Sequence, residues 1–385
     1  MYKFVSLTNI TAGLVAVVVG FTSSVAIIFQ AASASGANFA EMSSWLLALG
    51  IGMGITSIGL SLYYRIPILI AWSTPGAALL ASSLSGVPLP QVIGAFTFSA
   101  ILILLAGVSG LFERAMRYIP KSLASAMLAG ILLHFGINVF ISMQNQFNLA
   151  FTMFIAYLIG KRFFPRYAII QVLLLSILIG SIEGLFHLQH FHITLSSPVF
   201  IMPSFSWHVL ISIGIPLFIV TMTSQNIPGI TIMRASGYNP PVSSIISWTG
   251  ISNLLIAPFG GFALNMAAIT AAICLSKEAD PDPTNRYKAS IYAGIFYLIV
   301  GLFGATVVTL FAALPKELVL VLAGLALFGT IGASLQSALE DEAQREPALI
   351  TLLVSASGIS FCGISAAFWG LVAGILALIF LNLFK

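Results

Sequence analysis

Apolar runs follow one another along almost the whole chain, separated only by short stretches that contain charge, proline or polar clusters. Hydrophobic residues make up 59% of the 385 residues and charged residues only 7%, too little charge to cover the surface of a soluble domain. A membrane-spanning helix needs about 20 apolar residues, so this length allows roughly 12 to 14 crossings. The sequence therefore predicts one integral membrane domain over residues 1–385.

The limits of the apolar runs predict fourteen membrane segments, numbered here in chain order. They cover residues 8–33, 40–62, 67–83, 89–111, 120–140, 147–161, 167–184, 208–234, 241–257, 262–276, 287–311, 316–336, 347–363 and 365–383.

The basic residues support this count. With the N-terminus in the cytoplasm, fourteen of the fifteen Lys and Arg residues fall in inner loops, and only Lys316 is outside. Cytoplasmic loops carry an excess of Lys and Arg, and the loss of one segment would invert everything after it. The distribution predicts that both termini are cytoplasmic, and it explains the net charge of +4 without a nucleic-acid partner.

Two segments are interrupted. In segment 3, an extended apolar stretch from Pro67 meets Ser73-Thr74-Pro75-Gly76, and a helix of small residues follows. Segment 10 opens with Pro258-Phe-Gly-Gly-Phe262, and a helix from Phe262 to Leu275 would reach only about 20 Å, short of a hydrocarbon core of roughly 30 Å. Such a pair in corresponding places of two halves points to a transporter's substrate site near the bilayer midplane.

Weak internal matches pair these halves. At an offset of 201 residues, Thr22-Ser23 and Ala34-Ser35-Gly36 align with Thr223-Ser224 and Ala235-Ser236-Gly237; at an offset of 190, Trp72 and Ala77 align with Phe262 and Ala267. Seven segments per half is an odd number, so repeats over 1–185 and 206–385 would be inverted across the membrane. Chance similarity between apolar segments is the alternative.

The two interrupted segments and segment 8 suggest an anion site. Helix N-termini near Gly76 and Phe262 would each carry roughly half a positive charge, which suits a carboxylate. Segment 8 places Gln225 and Asn226 near mid-bilayer, where polar side chains are costly unless partnered; contacts between helices are the alternative. Trp72, Phe259 and Phe262 could wall a ring. The candidate substrate-binding residues are Thr22, Ser24, Ser73, Thr74, Gly76, Thr223, Ser224, Gln225, Asn226, Phe262, Ala263 and Asn265, the last one turn into the expected half-helix.

Other chemistry is poorly supported. No Asp or Glu lies in the central part of any segment, so the proton-coupling group is unidentified, and His134 is the one candidate, with simple packing as the alternative. His187, His190, His192 and His208 lack nearby Cys or carboxylates in ligand spacing, so no metal or other cofactor is expected. No nucleophile with a base lies in the segments, which argues against an enzyme; a channel stays open.

The chain resembles the BenE family of benzoate:proton symporters over nearly its whole length. The resemblance rests on Ser224-Gln-Asn-Ile-Pro-Gly229, on Arg234-Ala-Ser-Gly-Tyr-Asn-Pro-Pro241, and on Ala257-Pro-Phe-Gly-Gly261 running to Cys274. It implies import of benzoate or a similar small aromatic carboxylate with protons across the bacterial inner membrane. A homodimer stays open, and membrane lipid is an expected partner.

More distantly, the layout is similar to the seven-plus-seven inverted-repeat fold of the uracil transporter UraA and of sulfate transporters. That fold implies a short strand before each half-helix of segments 3 and 10, a core of segments 1–4 and 8–11, and a gate of segments 5–7 and 12–14. Nucleobase carriers place carboxylates on segments 8 and 10, where this chain has Gln225 and the Leu264-Asn265 region. A nucleobase or inorganic-anion transporter of the same fold is the alternative function.

Overall fold

The computed structural model describes residues 6–110, 120–185, 193–359, 361 and 364–382. His187, His190 and His192 of the predicted external loop lie outside the described residues. The described helices are α1 (Leu7–Ala34), α2 (Phe39–Tyr64), α3 (Thr74–Ser83), α4 (Leu89–Val108), α5 (Lys121–Asn145), α6 (Phe147–Phe163), α7 (Ala168–Ile182), α8 (Trp207–Ala235), α9 (Val242–Ile256), α10 (Ile269–Leu275), α11 (Tyr287–Leu302), α12 (Gly304–Ala313), α13 (Lys316–Leu339), α14 (Arg345–Ala356) and α15 (Ala366–Asn382), and the strands are β1 (Ile70–Trp72) and β2 (Leu264–Met266).

Each predicted segment coincides with one helix or with a pair of elements. Among the described residues, seven helices are long and apolar enough to cross a membrane, and an eighth crossing forms if α11 and α12, bent by 62°, count as one. The other segments are the two strand–helix pairs and the helices α6, α7, α14 and α15, of 12 to 17 residues. The chain is a multi-pass membrane protein, and the number of full crossings stays a prediction.

Helices α1 and α8 end in the same way. After α1, the N–H of Gly36 donates to Ser33 O and that of Ala37 to Ala32 O; after α8, Gly237 donates to Arg234 O and Tyr238 to Met233 O. Both glycines have positive φ, 74° and 85°, the left-handed cap that glycine favours. The two helices therefore match at an offset of 201 residues, as the sequence predicts.

The two strands form one largely buried two-stranded sheet. They pair antiparallel, with Ile70 opposite Met266 and Trp72 opposite Leu264. The ladder continues beyond the strands, because Ala267 N–H donates to Leu69 O and Ser73 N–H to Ala263 O. The prediction that segments 3 and 10 are half-helices preceded by short strands is confirmed.

The expected start of the second half-helix is wrong. The helix begins at Ile269 and not at Phe262, and Asn265 lies in β2 instead of one turn into a helix. Gly260 and Ala263 have φ values of 87° and 46°, which a right-handed helix does not allow. The strands are also offset by 194 residues, so the alignment at 190, which set Trp72 against Phe262, is out of register.

Helix contacts fall into two sets. In the first, α2 packs along α11, α4 along α9, and α1 against α3 and α11. In the second, α5 packs along α13 and α14, α14 along α15, and α6 along α7. Helix α1 also contacts α7 and α13, so it lies at the boundary between the two sets.

Candidate substrate site

A cavity of about 300 Å³ lies on this boundary, at the small end of the range for ligand pockets. The first helix set contributes α1, the β1–α3 segment, α8, the β2–α10 segment and α11, and the second contributes α7 and α13. Among the described residues, no charged side chain lines this cavity. Its polar lining residues are Thr22, Ser23, Ser24, Thr74, Gln225, Thr270, Tyr297 and Thr330.

Helix α8 carries two widened turns, over Leu210–Gly214 and Met222–Asn226. Each ends two residues before a proline, Pro216 or Pro228, whose missing N–H leaves a carbonyl one turn earlier without its usual donor. At the second turn, Ile227 N–H reaches back to Met222 O. Turns of this kind are frequent at functional sites, and this one contains Thr223, Ser224, Gln225 and Asn226.

Adjacent residues of this turn face different ways. Gln225 is half-buried and lines the cavity. Asn226 is fully buried, and its Oδ1 accepts a hydrogen bond from Met266 N–H at 3.0 Å. Asn253 holds the other end of β2, since its side chain accepts from Leu264 N–H and donates to Leu264 O. Two buried asparagines therefore fix the strand, while Gln225 contributes to the cavity lining.

The N-terminus of α3 offers one backbone donor. Ser73 N–H is bonded to Ala263 O, Pro75 has no N–H, and Gly76 N–H donates to Ser73 Oγ at 3.0 Å. The Thr74 N–H thus remains as the first-turn donor without a partner among the described residues. Thr74 also lines the cavity, so its N–H and hydroxyl are both available to an anion.

An aromatic wall flanks these donors. The Trp72 indole N–H donates to Ser24 Oγ at 2.8 Å, and Ser24 Oγ in turn donates to Gly20 O. The Phe21 ring lies 5.4 Å from that of Trp72. Because the Trp72 N–H is already satisfied, its ring presents only an apolar surface to the cavity.

The other predicted residues lie outside this lining. Ser73 and Gly76 form the cap of α3, Thr223 Oγ1 donates to Ile219 O, and Ser224 Oγ to Val220 O. Asn265 is fully buried, with Nδ2 donating to the carbonyl of the neighbouring Ala263. The Phe262 ring is 1% exposed and packs on Trp45 and Phe96, while that of Phe259 packs on Phe200.

Four polar lining residues are absent from the predicted site, namely Ser23, Thr270, Tyr297 and Thr330. Thr270 belongs to the first turn of α10, Tyr297 to α11 and Thr330 to α13. Tyr297 is 2% exposed, and a Cβ at Gly20 would lie 3.5 Å from its hydroxyl oxygen. Gly20 therefore leaves room for Thr270 and Tyr297 against α1. A polar residue in an apolar segment was the only available signal.

His134 lies in a different cavity, of about 510 Å³, between α1, the end of α3 and helices α5, α14 and α15. Its Nε2 is 2.7 Å from Ala356 O, and Nε2 must be the donor because a carbonyl only accepts. Among the described residues, no Asp, Glu, Lys or Arg lines this cavity. Within the same part of the chain, no group of His, Cys, Asp and Glu could hold a metal ion.

Nearly the whole chain is similar in sequence to membrane transport proteins. The family described as "BenE: Benzoate membrane transport protein" matches residues 3–380. Inner membrane protein YdcO of Escherichia coli is 48% identical over 375 residues, which cover 97% of this chain and 96% of YdcO. The benzoate membrane transport protein of Acinetobacter baylyi is 38% identical over 372 residues, covering 97% and 94%.

Two solved structures share the fold. SLC26A9 superposes with a TM-score of 0.64 at 14% identity; the match covers 97% of this chain but 65% of SLC26A9. The transmembrane domain of the cyanobacterial bicarbonate transporter BicA gives a TM-score of 0.55 at 13% identity, covering 100% and 98%. The predicted fold class, an all-helical inverted repeat with strand-preceded half-helices, is confirmed.

Proposed function

The chain belongs to the BenE family of benzoate membrane transport proteins, and on that basis we propose that it imports benzoate or a similar small aromatic carboxylate. Membership of this family makes the chain a membrane transporter and not an enzyme. The observation that carries the substrate assignment is the cavity beside the paired strands and Gln225 of α8, which has no charged side chain among its described lining residues. It combines unpaired hydrogen-bond donors with an aromatic wall.

The carboxylate binds at the polar end of this cavity. The Thr74 N–H and hydroxyl and the Gln225 amide are the donors, and hydrogen bonds to a charged acceptor contribute about 1.5–3 kcal/mol each. Thr22 and Ser24 also line this cavity. Pairing an anion with neutral donors avoids burying a cation in the empty site, which is costly in a low dielectric.

The ring of the substrate packs on Trp72, with Ile169 and Leu327 completing an apolar enclosure. Most of the remaining predicted residues stabilise the elements that form the site and do not contact the substrate. Asn226, Asn265, Ala263 and Phe262 hold β2, and Ser73 and Gly76 shape the start of α3.

Access alternates by movement of one helix set against the other. The core comprises segments 1–4 and 8–11, and the gate comprises segments 5–7 and 12–14. The contacts of α5 with α13 and α14, and of α2 with α11, support this division. The cavity has walls from both sets, so a relative displacement would open one side and close the other.

Uptake is coupled to protons, and the protein lies in the bacterial inner membrane with both termini in the cytoplasm. The proton-coupling group is unidentified, and His134, which lines a cavity between the two helix sets, is the one candidate. The distribution of Lys and Arg supports the orientation. Membrane lipid surrounds the protein, and a homodimer is compatible with this account.

Uptake by purified protein in proteoliposomes tests the proposal. An inward proton gradient should drive accumulation of labelled benzoate above its external concentration, and unlabelled aromatic acids should compete. Competition by uracil or sulfate instead would favour the alternative transporter classes, and flux without accumulation would indicate a channel.

A further inference from the structure

A second cavity of about 300 Å³ adjoins the first. It is formed by the end of α6, the start of α7, the widened turn of α8 and the middle of α13. Gln225, Ala268 and Thr330 line both cavities. The two cavities therefore meet at these shared residues, and a ligand bound at Gln225 is close to both.

Lys161 is the only charged side chain in the described lining of either cavity. It lies in the last turn of α6 and is exposed. Among the described residues, no carboxylate lies within salt-bridge distance of its ammonium group. The Lys161 ammonium group therefore attracts anions over several ångströms toward the second cavity.

The surroundings of Lys161 also fit a ring. Its Nζ lies 5.8 Å from the centroid of the Tyr157 ring, and Tyr157 is 6% exposed. The edge of Phe328 packs on Tyr157 at a centroid distance of 5.7 Å. Pro228 and Leu325 add apolar walls, and the Thr330 hydroxyl adds a polar group.

We propose that this second cavity is a separate, weaker binding site for the transported aromatic carboxylate, in which Lys161 pairs with the carboxylate and Tyr157 contacts the ring. The inference rests on the proposed function. The transport pathway would then contain two binding sites: a neutral central site at Gln225 and a charged site at Lys161, near one opening of the pathway. This opening lies on the side of Lys161 and Arg162, which the charge distribution predicts to be cytoplasmic.

Membrane vesicles of opposite orientation allow benzoate to be added to either side of the transporter. Labelled benzoate flux is measured in inside-out and right-side-out vesicles for wild type, Lys161→Gln, Lys161→Arg and Arg162→Gln. Arg162 is exposed, belongs to the same turn of α6 and lines neither cavity. Its substitution therefore removes the same charge from the same region and serves as the matched control.

In one vesicle orientation only, Lys161→Gln should raise the half-saturating benzoate concentration about fivefold, as expected for loss of a partly exposed ion pair. Lys161→Arg and Arg162→Gln should stay within about twofold of wild type. Raising the salt from about 10 to 150 mM shortens the screening length from roughly 30 to 8 Å. It should weaken benzoate binding in wild type and Arg162→Gln but not in Lys161→Gln.

Equal behaviour of Lys161→Gln and Arg162→Gln, in half-saturation and in salt dependence, would overturn the second site. A fivefold rise in the half-saturating benzoate concentration of Lys161→Gln in both vesicle orientations would also overturn it, because the effect would then not be confined to one side of the membrane. Absence of benzoate flux in wild type would instead overturn the proposed function itself.

Discussion

The side-chain Oδ1 of Asn226 accepts a hydrogen bond from the backbone N–H of Met266, 3.0 Å away and fully buried. This bond ties the widened turn of α8 to strand β2, while the preceding residue, Gln225, lines the substrate cavity. We propose that these two neighbouring amides have different roles, Gln225 in substrate contact and Asn226 in holding the strand. Their alanine variants should differ accordingly.

Gln225→Ala should weaken binding and leave folding unchanged. The substitution removes a donor to the carboxylate, which contributes about 1.5–3 kcal/mol, so the Kd for benzoate should rise at least about tenfold. Titration calorimetry on the purified protein measures the Kd, and thermal unfolding in the same detergent is the control. A wild-type Kd would remove Gln225 from the site.

Asn226→Ala should show the opposite pattern. It leaves the buried Met266 N–H without an acceptor, at a cost of about 1–3 kcal/mol, so the unfolding temperature and the amount of folded protein should fall. The Kd of the fraction that folds should stay within about threefold of wild type. Unchanged stability with a large loss of affinity would mean that Asn226 contacts the substrate.

Arg286 should stabilise the far end of the α10 half-helix. Its buried guanidinium donates to the carbonyls of Leu275, Asp280 and Pro281, and a cation is favourable at a helix C-terminus. Arg286→Gln should lower the free energy of unfolding by about 1.5–3 kcal/mol. Lys277→Gln removes a charge from an exposed position in the same loop, and chemical denaturation should show it close to wild type. Equal losses would contradict the capping role.

His134→Gln tests the candidate group for proton coupling. Glutamine can still donate to Ala356 O, but unlike an imidazole it cannot take up a proton. The variant should retain benzoate binding, while its initial uptake rate should depend far less on external pH than that of wild type. An initial-rate profile identical to that of wild type would exclude His134 as the coupling group.

The segment pattern could be predicted because it depends on local properties, namely apolar run length and the placement of Lys and Arg. The start of the second half-helix could not, since Leu264-Asn265-Met266 becomes a strand only by pairing with Ile70-Ala71-Trp72, a contact distant in sequence. A run of small and apolar residues has no local feature that selects this outcome.

The different contacts of Gln225 and Asn226 within α8 could not be predicted from the sequence either. Proline at 228 signals a freed carbonyl, but the extra residue in the turn decides which amide faces β2 and which faces the cavity. Tyr297 and Thr330 reach the site from helices predicted only as apolar segments. Their participation follows from tertiary packing, which one sequence does not specify.

Crystals of the protein grown with 4-bromobenzoate provide the most direct test of the account, because bromine can be located by its anomalous scattering. We expect a bromine peak in the cavity beside Trp72, with the carboxylate hydrogen-bonded to Thr74 and Gln225. A bromine peak outside the two cavities that Gln225 lines, with Trp72, Thr74 and Gln225 in contact only with water, would contradict the account.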